Sequence, residues 1–177
     1  MKKFTVTILK KQLAEKTKEE LINEISYLFQ NFPQVKDYFK ARSGDIREIL
    51  KKHEEIIQKE FVYGKTRGLP KARFSVARKA VTDFKKLTDD PVLIAELMFA
   101  YVESVSYFNN EFSPDTERFY SASEKMFEDA LKLLKKTGKL EEFKDRAYEI
   151  VDNAPEGWGN KDSLKEIYED FYGELID

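Results

Sequence analysis

The sequence predicts an all-α fold, a single-domain array of about seven or eight antiparallel helices, partly solenoid-like. Three observations predict it. Seven glycines and five prolines are few among 177 residues, and 36% of the residues are charged, which suits amphipathic helices with charged outer faces. Apolar residues recur at helical spacing in nearly every segment, whereas strand-like alternation is confined to Phe4–Leu9 (FTVTIL), which reads better as a helix start. After Pro70 the helices begin roughly 20–25 residues apart with short turns between them, so neighbours should be antiparallel. That spacing also suits stacked hairpins, although no tetratricopeptide, HEAT or ankyrin consensus is present. A chain of this length can bury a sizeable core unaided.

Taken in order, residues 6–31 read as a short helix, a turn and a longer helix. Thr17 and Glu20 fit a capping box, in which the threonine side chain and the glutamate each satisfy a free amide of the first turn. Leu21, Ile25, Leu28, Phe29 and Phe32 follow as an apolar face. Pro33 opens a further short helix with Val35, Tyr38 and Phe39 expected to point inward. The next helix carries Ile46, Ile49, Leu50, His53, Ile56, Ile57, Glu60 and Phe61 at helical period. Tyr63–Pro70 is the clearest punctuation in the chain. Residues 1–62 are therefore expected to form an N-terminal helical hairpin region, 63–70 a hinge loop, and 71–177 the main helical array, within one continuous domain. Lys71–Leu87 should form a two-faced helix. Ser113-Pro114 should start a helix ending at Gly138, a residue suited to a left-handed cap. Lys139–Asp152 should form the next, and Asn160 should cap the last, whose stripe is Leu164, Ile167, Tyr168, Phe171, Tyr172 and Leu175.

The most apolar stretch, Pro91–Phe112, is the helix around which the others should pack. Asp90 is a good N-cap and Pro91 suits the first helical position. On a helical wheel Ile94, Leu97, Met98, Tyr101, Val102, Val105, Phe108 and Phe112 cover most of the circumference. Glu96, Glu103 and Asn110 fall seven apart on one narrow stripe. The stripe has two readings: a sliver of solvated surface, or a polar line inside the bundle where a glutamate pairs with a cation, as buried carboxylates require. The two glutamates argue against a membrane span.

Composition excludes several chemistries. There is no cysteine, hence no thiol nucleophile, disulfide or Cys-ligated zinc. His53 is the only histidine, and it is expected to be on the helix surface or half-buried, not a base. There is no strained Gly-x-Ser-x-Gly turn. Gly64-Lys65-Thr66 lacks the preceding glycine and strand of a phosphate-binding loop. No Glu-x-x-His pair offers a di-iron site. No catalytic residue, metal site or cofactor is predicted. No secretory signal is evident after Met1-Lys2-Lys3, and the expectation is a soluble cytoplasmic protein without membrane association. The net charge of −2 conceals a polarity: residues 1–86 carry 21 basic and 11 acidic residues, and 87–177 carry 10 and 22. Such asymmetry points to an anionic partner for the basic half or to attraction between the halves, within or between chains.

Three candidate binding features emerge. The first is the basic face Lys71, Ser75, Arg78, Lys79, Thr82, Lys85 and Lys86, which offers charge and hydroxyl donors to phosphates; the alternative is a solvated helix face. The second is Arg73, which lies within the apolar arc of its helix. It is expected either to reach Glu96 or Glu103 beside Tyr107 and Tyr120, or to extend its guanidinium to water. The third is Trp158 between two glycines, either a plug at the end of the core or, if exposed, an anchor for a partner.

With these segments laid out, the chain resembles a family of small bacterial all-helical proteins of unknown function. The resemblance rests on Thr17–Ile25 with Phe32–Phe39, Lys71–Leu87, the central helix with Tyr107–Phe112, and Gly157-Trp158-Gly159. It implies an all-α fold and no particular activity. The functional expectation is a non-enzymatic protein-interaction or adaptor module that binds a protein partner or associates with itself. The alternative is nucleic-acid or phosphorylated-ligand binding through the basic face of residues 71–86, against which the acidic C-terminal half counts.

Overall fold

A computed structural model describes residues 3–63, 65–66 and 68–175, with backbone alone at Lys65 and Thr66. Met1 and Lys2, and Gly64 and Arg67 of the expected hinge, lie outside the described residues. The fold is all-α. Nine α-helices occur among the described residues, and they divide into two compact units, Met1–Asp45 and Ile46–Asp177. The division falls ahead of the fourth helix, not at the 63–70 loop.

The first unit contains α1 (Val6–Ala14), α2 (Lys18–Asn31) and α3 (Pro33–Arg42). Thr5 caps α1, its hydroxyl accepting from the Ile8 amide, so the FTVTIL stretch is indeed a helix start. The capping box of α2 is complete: the Thr17 hydroxyl accepts from the Glu20 amide at 3.2 Å, and the Glu20 carboxylate accepts from the Thr17 amide at 2.7 Å. None of the three helices buries a residue. The apolar face of α2 exists, but Ile25, Leu28 and Phe32 are exposed and Leu21 and Phe29 only half-covered. Val35, Tyr38 and Phe39, expected to point inward, are likewise not buried. Three short helices enclose too little volume for an interior of their own.

The second unit contains α4 (Ile46–Phe61), a two-residue hairpin of β1 (Lys65–Thr66) and β2 (Leu69–Pro70), α5 (Phe74–Phe84), α6 (Pro91–Phe112), α7 (Arg118–Thr137), α8 (Lys144–Asp152) and α9 (Asn160–Tyr172). As expected, α6 is the centre. It packs most extensively on α7, with α4, α5 and α8 also against it, while α9 packs on α7 and α8. Leu97, Phe99, Tyr101, Val102 and Val105 of α6 meet Ile57 and Phe61 of α4, Phe84 of α5, and Phe127, Leu131 and Leu134 of α7 in a solvent-free core. Phe99 sits edge-on to Phe127 at 5.7 Å and tilted on Phe143 at 5.2 Å. By length and composition α6 could cross a membrane, and 72% of its most apolar window is buried within the unit.

Several helix ends differ from expectation. α5 begins at Phe74, because Ala72 takes a positive φ of 50° and Arg73 is the uncapped residue before the helix. α7 begins at Arg118, not at Pro114, since Ser113 adopts a left-handed conformation that breaks the chain direction. Lys139–Asp152 is a 3₁₀ turn over Leu140–Phe143 followed by α8. His53 is buried, with Nδ1 2.8 Å from the Ile49 carbonyl and its ring 5.5 Å from Phe84. Asn160 does not cap α9. It is fully buried inside the first turn, and its amide donates to the Glu124 carboxylate at 2.7 Å and the Tyr120 carbonyl at 3.3 Å, tying α9 to α7. Gly157 is required by contact: a Cβ there would sit 2.7 Å from the Tyr120 hydroxyl oxygen.

Candidate functional site

The stripe on α6 is partly solvated, with Glu103 and Asn110 exposed and Glu96 half-buried, and it does not meet Arg73. It forms a polar seam against α4 and α8. Arg47 of α4 pairs with Glu96, whose side chain is only 22% exposed. Arg146 of α8 forks onto Glu103, Nε donating to Oε1 at 2.7 Å and Nη2 to Oε2 at 2.8 Å. Asn110 donates to the Asn153 carbonyl at the end of α8, 2.9 Å away. Each contact lies two helical turns from the next, so the seam follows one line of α6. The Arg146 guanidinium also stands over the Phe99 ring, 5.5 Å from its centroid. Burial works against the Arg146 charge, yet the Glu103 hydrogen bonds, with Glu54 and Glu96 nearby, outweigh it and raise the pKa above the usual arginine value. Burial likewise raises the Glu54 pKa; Glu96 and Glu103 push it the same way, while Arg146 and Arg47 oppose the shift.

Arg73 does not reach the stripe. It binds Glu60 of α4 instead, through Nε at 2.9 Å, Nη2 at 2.5 Å and its own backbone amide at 3.2 Å. The reason is its position. Preceding α5 rather than riding on it, Arg73 lies beside the end of α4, where the Ala72 amide also donates to the Glu60 carbonyl at 2.7 Å. The expected pocket of Arg73, Tyr107 and Tyr120 is therefore absent. Tyr107 is exposed beside the seam, and Tyr120 is buried under Gly157.

The basic face of α5 is exposed, but much of its charge is met locally. Asp83 pairs with both Lys79 and Lys86. The Thr82 hydroxyl donates to the Arg78 carbonyl at 2.9 Å. Lys71, Ser75, Arg78 and Lys85 remain exposed. Arg78 and Arg118 bracket Phe74, 5.9 and 5.7 Å from its ring centroid, and neither forms an ion pair among the described residues. Beneath them Tyr101 is fully buried with its hydroxyl unpartnered; burial pushes its pKa up to about 12 despite the two arginines. Trp158 is no plug. It is 56% exposed and adopts a left-handed φ of 55°.

Beside the seam, α6 and α8 frame an open groove of about 380 Å³ lined by Glu103, Ser106, Tyr107, Asn110, Glu149 and Asn153, with Ile150 at its base. Sequence reasoning found Glu103, Tyr107 and Asn110 but missed Arg47, Arg146, Ser106, Glu149 and Asn153. The partners of Arg47, Arg146 and Asn153 lie more than 40 residues away in sequence, and no local pattern marks Ser106 or Glu149. No group of three metal-ligating side chains occurs among the described residues.

No curated protein and no solved structure matches the chain. A family of unknown function does, across residues 4–172, from the helix start at Phe4 to the end of α9. That match spans both compact units, the seam and the groove, so the chain belongs to the family of unknown function DUF6155.

Proposed function

We propose that the protein is a non-enzymatic interaction module whose first unit is its docking face. The observation that carries this reading is that α1–α3 bury no residue while presenting large apolar side chains. Phe4, Val6, Ile25, Tyr27, Phe32 and Tyr38 are all exposed. Between α2 and α3, Ile25, Phe29 and Phe39 line a shallow groove of about 310 Å³. An exposed apolar groove of this kind marks an interaction site. Basic side chains frame it: Lys36 lies 6.0 Å from the Phe29 centroid and Arg42 4.6 Å from that of Tyr38.

The occupant that fits is the C-terminal region of a second copy. Residues 1–45 carry nine basic and six acidic residues, whereas 144–177 carry four and ten. The acidic segment also displays Tyr148 and Trp158 on its surface, aromatic side chains of the type that dominate interface energetics. A head-to-tail contact joins these complementary surfaces. Light scattering across a concentration series tests it. The expected result is self-association that Phe29→Glu or Trp158→Ala weakens without lowering the unfolding midpoint. A monomer at every concentration and ionic strength would overturn the reading, as would association untouched by both variants.

A second reading is favoured by Arg78 and Arg118, two exposed guanidiniums converging on Phe74 with no acidic partner among the described residues. This arrangement suits a phosphorylated ligand. Pyrophosphate binding that weakens with salt and is lost in Arg118→Ala supports it. No binding at low salt disposes of it.

A further inference from the structure

We propose that Trp158 of one copy seats its indole in the α2–α3 groove of the next. This seat rests on the self-association reading above and names its central contact. The neighbours of Trp158 build the knob. Gly157 lies so close to Tyr120 that a Cβ would meet the hydroxyl oxygen at 2.7 Å. Asn160 is fully buried, its amide donating to the Glu124 carboxylate at 2.7 Å. The chain is thus held on both sides of Trp158, which takes a left-handed φ of 55° that bulky residues rarely adopt. Such a conformation persists only where the surroundings over-determine it. Its result here is an indole left largely in water, with an N–H that bonds to nothing among the described residues. A side chain displayed in this way loses little freedom on binding, and contacts gain affinity from such preorganisation.

The groove complements the knob in size, lining and charge. At about 310 Å³ it stands at the small end of sites that enclose compact ligands, about 300–1,000 Å³, so it takes one ring system and not a whole helix. Phe29 and Phe39 meet edge to face, their centroids 6.2 Å apart, and with Ile25 they offer apolar walls to a flat aromatic group. Ser26 and Gln30 also line it. Their side chains are exposed and have no hydrogen-bond partner among the described residues, so either oxygen can accept the indole N–H. Lys36 stands beside Phe29, whereas Trp158 is flanked in sequence by Asp152, Glu156 and Asp162, with Lys161 the one cation between them. Opposite charge at the two edges steers the encounter and fixes which surfaces meet.

Magnitude sets the behaviour. One tryptophan buries about 150–250 Å², far below the roughly 1,200 Å² of a stable specific interface. The association is therefore weak, and it strengthens at low salt. Knob and groove are different surfaces, so the contact is heterologous: two copies exchange it reciprocally, or a row of copies extends.

Trp158 is the only tryptophan, so its fluorescence reports the seat directly. As the full chain is concentrated, emission should move to shorter wavelength and acrylamide quenching should fall, in step with the rise in scattering mass. The decisive measurement mixes two variants that each lack one half. Phe29→Glu keeps the knob and Trp158→Ala keeps the groove. Neither should associate alone, whereas titrating the second into the first should restore the emission shift, with a 1:1 end point and an affinity that falls with salt. Ser26→Glu, at an exposed position, blocks the groove without removing a ring and takes the place of Phe29→Glu if that variant loses helicity. Self-association with the emission unchanged would overturn the seat and leave the wider reading standing; a monomer at every concentration would overturn both. A mixture that shows no shift, or a shift that the knob-bearing variant shows when concentrated alone, would overturn the seat as well.

Discussion

Replacing Arg73 by methionine should destabilise the protein by about 2 kcal/mol at neutral pH. The figure follows from the two partners' burial. Glu60 is 5% exposed, so its carboxylate depends on the protein for its hydrogen bonds. Breaking a fully buried pair costs about 3–5 kcal/mol, because the remaining charge is left uncompensated. Here the Arg73 side chain is 52% exposed, so water would replace part of what it provides, and the Arg73 backbone amide would still donate. The expected loss falls to the range of a charge-assisted hydrogen bond, about 1.5–3 kcal/mol. Urea unfolding measures it, and the melting temperature should drop by about 4–8 °C. The effect must also depend on pH. The Arg73 hydrogen bonds lower the Glu60 pKa in the folded protein despite burial. The pair therefore contributes fully above the unfolded carboxylate pKa of about 4.3, and its contribution is lost as pH falls through the lower folded value. In Arg73→Met the buried carboxylate takes up its proton at higher pH, so the gap between variant and parent should narrow from pH 7 towards pH 3. A loss below about 0.5 kcal/mol, in the range of an ordinary surface change, would refute the reasoning, and so would a gap of constant size.

Two further substitutions probe the ends of the molecule. Gly157→Ala should cost about 1–3 kcal/mol by overpacking, because the new Cβ meets the Tyr120 hydroxyl oxygen at 2.7 Å and the buried ring behind it at 2.9 Å; a calorimetric melt unchanged from the parent would show that the ring yields freely. Thr17→Ala removes the capping box of α2 and should lower the stability of that helix by about 1 kcal/mol, seen as faster amide exchange in α2 with exchange in α6 unchanged.

Helical period and capping chemistry made most elements legible, because both are local. Thr17, Asp90, Pro91 and Gly138 each take the role their residue types predict. What misled was geometry that depends on a distant segment. Arg73 falls within an apolar arc only if the helix is extended back to Lys71. Its actual place before α5 follows from the positive φ at Ala72 and from Glu60, neither of which periodicity reports. Asn160 looks like a cap by type, but its amide is spent on α7. Burial in α1–α3 was misjudged for a related reason. An amphipathic face states that a helix seeks a partner, not that the partner lies within the same unit.

The α6 stripe shows what such a polar line does in a nearly all-apolar helix. A helix apolar around most of its circumference has little to fix its rotation, since several faces would bury comparable area. Salt bridges as exposed as Arg146–Glu103 contribute about 0–1 kcal/mol each, too little to explain the seam as a stabilising device. Their geometric effect is larger. Glu96, Glu103 and Asn110 meet α4 at one point and α8 at two, and rotating α6 by one residue would break all three contacts while turning carboxylates towards Phe99 and its neighbours. The three contacts are therefore compatible with one rotation of α6, the one that places Tyr107 at the groove.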